Sequence, residues 1–156
     1  MINEKQLCEF LVEAKKATYA AGDRAKSIKE KDKSTTLIYE NGDWKYCDNY
    51  FGGEPYGGRE VVFYENKPVY IMVYYGFVDK SISDAGSVYK VLQGALSQIP
   101  EDKPFRGPDK FEGNGLTYKN THTGEVDNFS GEETIAIKDG KIIYKANYLG
   151  GFVDNR

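Results

Sequence analysis

Histidine, cysteine and long apolar runs are scarce in this chain, and each shortage closes off a chemistry. One histidine, His122, in 156 residues has no second imidazole and no Cys-x-x-Cys pair with which to build a transition-metal site. Two cysteines, Cys8 and Cys47, fall short of the roughly four or more that disulfide-held secreted domains carry. No basic residue flanks Cys8 closely enough to argue for an activated thiolate. The opening "MINEKQLCEF" lacks the apolar centre of a signal peptide, and no run approaches the length of a membrane span. A net charge of −3 gives no electrostatic case for nucleic acid or an anionic membrane. The one basic run, "RAKSIKEKDK" (residues 24–33), alternates with acids and reads as a solvated loop. These shortages predict a soluble cytoplasmic protein with reduced thiols, no cofactor and no nucleic-acid or membrane partner.

What is present in excess is tyrosine, 13 in all. Its large ring and polar tip suit half-buried strands and contact surfaces equally. Length and apolar content fit a single domain over residues 1–156. Leu7, Phe10, Leu11 and Ala14 recur at helical spacing, with Lys15 and Lys16 near the end of that helix, where they suit the macrodipole, and Gly22 as a stop. Val88, Val91, Leu92, Ala95 and Ile99 form a second helical stripe, closed by Pro100.

Strand signals follow each helix, and the two sets match. "YGGREVVFYENKPVYIMVYYG" (Tyr56–Gly76) lies over "FSGEETIAIKDGKIIYKANYLG" (Phe129–Gly150), with one extra residue where "KDGK" makes the turn. Asp-Gly between strands is a strong hairpin signal because both residues tolerate positive φ. "WKY" (residues 44–46) matches "LTY" (residues 116–118) upstream. The pattern predicts an α+β fold: two tandem helix-plus-four-strand repeats, residues 1–80 and 81–156, forming an extended antiparallel sheet with both helices on one face.

Strand alternation then separates the two faces of the sheet. In the second repeat Ile135, Ile137, Ile142, Tyr144, Ala146 and Tyr148 share one face and mark it as core. The corresponding face of the first repeat holds Val62, Tyr64, Tyr70, Met72 and Tyr74. The opposite face of the first repeat carries Val61, Phe63, Val69, Ile71, Val73 and Tyr75, almost wholly apolar, where the second repeat has a mixed set. A large exposed apolar patch is unusual without a use. Loops or chain ends could fold over it, a second copy could pack on it as a homodimer, or a small molecule or protein partner could bind there.

Few residues invite catalysis. The Gly-rich "GGEPYGGRE" lacks the Gly-Lys-Ser/Thr end of a phosphate loop and leads into strands, and Glu54 and Glu60 would repel an anion. Glu60 and Glu133 hold matching places in the two repeats, which suggests a shared structural hydrogen bond with turn amides as donors. A paired-carboxylate site would use the same two residues. In "PFRGP" (residues 104–108) two prolines stiffen the loop, Gly107 permits an unusual backbone angle and Phe105 can anchor it. Arg106 then either presents its guanidinium from a rigid platform or pins the loop through an internal salt bridge.

"FLVEAKKATYA" (residues 10–20), "YFGGEPYGGREVVFYENKPVYIMVYYG" (50–76), "IPEDKPFRGPDKFE" (99–112) and "IYKANYLGG" (143–151) resemble an uncharacterised bacterial domain family. Its members are often found C-terminal to a helix-turn-helix in xenobiotic-response-type transcriptional regulators. This chain starts at the domain's first helix, so the resemblance implies the sensing or interacting half of a regulator, without DNA binding. The architecture is also similar, by analogy, to proteinaceous inhibitors built from two helix-plus-four-strand repeats.

Together these readings predict a non-enzymatic binding or sensing module that uses Val61, Phe63, Val69, Ile71, Val73, Tyr75 and Arg106 to hold a small molecule or partner protein. The alternatives are a small hydrolase or isomerase using Glu60 and Glu133 with Arg106, and a dimer whose apolar face is only a subunit interface.

Overall fold

Both helices begin on side-chain caps. Asn3 accepts from the Gln6 amide at 3.2 Å and opens α1, Glu4–Ala17; Asp84 accepts from the Ser87 amide at 3.1 Å and opens α2, Ala85–Leu96. The structure, a computed structural model, describes residues 2–154. A 3-10 segment, Tyr19–Arg24, follows α1 and turns at Gly22, whose φ is 59°. Among the described residues no helix is long and apolar enough to cross a membrane.

The strands are β1 (Ser27–Lys29), β2 (Thr35–Asn41), β3 (Trp44–Gly52), β4 (Tyr56–Tyr64), β5 (Lys67–Val78), β6 (Lys110–Gly113), β7 (Leu116–Glu125), β8 (Asn128–Ala136) and β9 (Ile142–Phe152). They form one open antiparallel sheet of nine strands in the order β1-β2-β3-β4-β5-β9-β8-β7-β6. The expected α+β class and extended antiparallel sheet are therefore present. β1 falls inside the basic run that had read as loop; it is an exposed edge strand of three residues. Glu65 and Asn66 both take positive φ in the β4–β5 turn, and Gly140 does so between β8 and β9.

β5 pairs with β9 at the middle of the sheet, with Tyr74 opposite Tyr148. Tyr46, Val62, Tyr70 and Met72 pack with Leu7, Phe10, Leu11 and Ala14 of α1. Tyr118, Ile135, Tyr144 and Ala146 pack with Val88, Val91, Leu92 and Ala95 of α2. One expected core position fails. Ile142 is 51 % exposed while Ile143 is 3 % exposed, because the β8–β9 register shifts between Ile135 and Ala136 and reverses the alternation there. Lys15 lies in the last turn of α1, as expected, and it is buried there.

Among the described residues no loop covers the opposite face of the first half. Val73 is 39 % and Tyr75 is 55 % exposed, and Val61, Phe63 and Ile71 are half-buried. Val69, expected on this face, packs instead against the core beneath α1, because the β4–β5 register shifts beside it and leaves it as the extra residue of a bulge.

Candidate functional site

The covered side of the sheet carries ionisable groups where a core would ordinarily be apolar. Asp48 on β3 and Glu60 on β4 are cross-strand partners, and Glu133 on β8 faces Asn120 on β7. Lys15 reaches down from α1 and Arg106 from the "PFRGP" loop. All five are buried.

The loop works as a wedge between helix and sheet. Phe105 stacks flat on Phe129 with centroids 3.9 Å apart, and its carbonyl accepts from Lys15 Nζ at 2.5 Å. Arg106 donates from Nε to Glu133 Oε1 at 2.6 Å, and Glu133 Oε2 accepts from the Tyr118 hydroxyl at 2.5 Å. Gly107 donates its amide to the Tyr118 hydroxyl at 3.1 Å, and its carbonyl accepts from Asn120 at 3.0 Å. Gly107 has no unusual backbone angle, contrary to expectation. It is needed for close approach: a Cβ there would lie 2.8 Å from the Tyr118 hydroxyl.

Arg106 therefore does not project from the loop into solvent. It forms an internal salt bridge, and it lies on the covered side, apart from Val61, Phe63, Ile71, Val73 and Tyr75 on the other face. Glu60 and Glu133 likewise find cations rather than turn amides: Lys15 Nζ stands 2.9 Å from Glu60 Oε2, and Arg106 takes Glu133. His122 packs edge-on against Phe105 at 5.4 Å. Cys47 is half-buried on the uncovered face opposite Val61, and burial raises its thiol and that of Cys8. Among the described residues no three His, Cys, Asp or Glu side chains are grouped to hold a metal.

A cavity of about 350 Å³ opens above the charged cluster. Tyr19, Tyr50, Tyr56, Tyr74 and Tyr89 line it, together with Asp48 and Arg106. The sheet makes room for these rings by omitting side chains beside them. A Cβ at Gly76 would lie 2.8 Å from the Tyr56 hydroxyl, which instead reaches Tyr144 at 2.5 Å. Tyr89 of α2 is anchored by its hydroxyl to Glu54. Lys29 and Gln93 complete the lining.

Asp48 is the group whose protonation this environment changes most usefully. Burial, and then the neighbouring Glu60 carboxylate, push it from 3.8 up to about 7; the Tyr74 hydrogen bond, Arg106 and Lys15 oppose the rise. Burial also lowers Lys15, against the pull of Glu60. The cavity tyrosines Tyr19, Tyr56, Tyr74 and Tyr89 are all raised, first by burial, and stay protonated donors at neutral pH.

Asp48, Lys15 and the cavity tyrosines were not among the predicted site residues. One signal was legible: Asp48 shares the inward parity of Trp44 and Tyr46 and so places a carboxylate where a core residue belongs. The proximity of Tyr19, Tyr89 and Arg106 to it was not, since three separate loops and helices bring them there.

Fold and site define an α+β domain with an open antiparallel sheet and a tyrosine-lined, charge-floored cavity on its covered side. The chain belongs to the family described as Domain of unknown function (DUF5680), which matches residues 48–153. No curated protein and no solved structure matches it.

Proposed function

We propose that this chain is a non-enzymatic binding module that takes a small organic molecule into the tyrosine-lined cavity. The observation that carries this reading is the cavity itself: about 350 Å³, with five tyrosines over a buried carboxylate and a buried guanidinium. Ligand sites combine an apolar wall with a few fixed polar groups in this way. Chemical-shift mapping with a library of small aromatic and polar fragments tests it. Binders should perturb the amides of Tyr50, Tyr56 and Tyr89, and Tyr50→Ala should weaken them about tenfold or more, the scale of one lost aromatic contact. Shifts confined to Val73 and Tyr75 would move the site to the other face.

The finer architecture fits this reading. The halves α1 with β2–β5 and α2 with β6–β9 are copies of one unit, with both helices on the covered face and the cavity where the copies meet. The mirrored strand order about β5 and β9 supports it. Such a domain would act in a bacterial cytoplasm as the sensing half of a regulator. Its uncovered face, with Val73 and Tyr75 outward, is where a second copy or a protein partner would dock. Val73→Lys should then leave the unfolding free energy within about 1 kcal/mol of wild type. Light scattering over a dilution series reads the rest: a monomer mass at every concentration removes the second copy.

Asp48 favours one other reading, proton transfer by a small isomerase or hydrolase, since a carboxyl near 7 is matched to general-base work. Glu60 and Glu133 suit that role less well, because each is held by a cation.

A further inference from the structure

The charges beneath the cavity do not balance. Two buried cations, Lys15 and Arg106, face three buried carboxylates, Asp48, Glu60 and Glu133. The ion pairs Lys15–Glu60 and Arg106–Glu133 use one carboxylate each. Asp48 is left over. Its Oδ1 accepts from the Tyr74 hydroxyl at 2.5 Å; among the described residues no hydrogen bond or ion pair reaches its Oδ2. The residue is 3 % exposed, and it lines the cavity.

A buried carboxylate without a cation is costly, and the ligand's charge decides whether that cost stays. An anion would add a fourth negative group, and a neutral molecule would leave Asp48 as it is. A cation would complete the third pair. The walls have the same preference, because the faces of tyrosine rings attract cations. One ring already holds one: Arg106 Cζ stands 5.7 Å from the Tyr74 centroid. The two cations in the lining do not serve Asp48. Arg106 is bound to Glu133, and Lys29 donates to Thr35 Oγ1 at 2.7 Å.

We propose that the cavity takes an organic cation, an amine or quaternary ammonium on a small apolar or aromatic body, with its charged nitrogen against Asp48 and its carbon substituents over the tyrosine rings. The inference rests on the reading of the cavity as the ligand site. The volume, at the lower end of the roughly 300–1,000 Å³ usual for ligand pockets, suits a compact molecule.

Benzyltrimethylammonium, whose charge does not titrate, is the probe, with benzoate and benzyl alcohol as matched anionic and neutral bodies. Binding is followed by chemical-shift titration of the Tyr50, Tyr56 and Tyr89 amides. The ammonium should bind at least about tenfold more tightly than either control, a factor typical of one completed charge pair beside an aromatic wall. Its Kd should fall about tenfold from pH 6 to pH 8 as Asp48 ionises. The groups facing Asp48 are Glu60, Tyr74, Arg106 and Lys15, with Lys29, Tyr19 and Tyr89 around the cavity. Loss of charge at Lys15 would act in the same direction, so Asp48→Asn isolates the effect. That variant keeps an oxygen for Tyr74 and should bind the ammonium at least about tenfold more weakly with the pH slope gone. Tighter or equal binding of benzoate or benzyl alcohol at the same amides overturns the cation and leaves the cavity as the ligand site. Shifts from none of the three probes overturn both.

Discussion

Glu133→Gln should cost about 3–5 kcal/mol of unfolding free energy, the usual penalty for breaking one side of a buried ion pair. Glu133 is 0 % exposed and accepts from both Arg106 and Tyr118. Glutamine keeps the shape but removes the charge, and it deprives the buried guanidinium of the carboxylate it is bound to. For a domain of this size the melting temperature should drop on the order of 10 °C. Urea unfolding gives the clearer reading: the midpoint falls while the slope holds, since the same surface is exposed. Adding Arg106→Met should recover part of the loss, because the orphaned charge goes with it. A Glu133→Gln protein within about 1 kcal/mol of wild type would mean that Arg106 is solvated and that the loop is held by Phe105 alone.

That prediction turns on a pairing only partly legible in the chain. Glu60 and Glu133 could be matched by aligning the two strand sets, and their recurrence pointed to a structural role. Their partners could not be found that way. Lys15 is also a cation in the last turn of α1, but it follows Leu7 and Leu11 at steps of four, so helical spacing alone puts it on the buried stripe. For Arg106 an outward guanidinium and an internal salt bridge were both open, because two prolines and a glycine describe a stiff loop but not the direction in which it folds. Here the loop turns inward, and Phe105 on Phe129 sets that direction.

Strand parity was the more dependable guide. It assigned Val62, Tyr70, Met72, Tyr74, Tyr144 and Tyr148 to the covered face, and all six are buried. It failed at Ile142 and at Val69, each beside a register shift. A bulge has no signature in alternation until the two strands are seen together, so every parity reading is good only between bulges. Parity also exposed Asp48 as an inward carboxylate, but a single strand cannot say whether a cation waits across the cavity.

Asp48→Asn should make the protein more stable, and more so the higher the pH. An unfolded aspartate titrates near 3.8, whereas in the fold it titrates near 7. Below the lower value both states hold the proton, and the group contributes no pH dependence. Between the two values the unfolded chain releases a proton that the folded chain keeps, so wild-type stability falls as pH rises and levels off above 7. The full shift corresponds to roughly 2–4 kcal/mol by pH 8. Asparagine does not titrate, so the variant should gain that amount at pH 8 and under about 1 kcal/mol near pH 4.5. Thermal unfolding at the two pH values measures it, as a rise on the order of 10 °C at pH 8 and almost none at pH 4.5. An equal change at both would show that Asp48 is solvated and ordinary. A carboxylate that weakens the fold at neutral pH and lines a cavity is what the proposed cation site calls for. The substitution that strengthens the fold at pH 8 is the same one that should weaken the hold on a cation, and the two effects should share one titration.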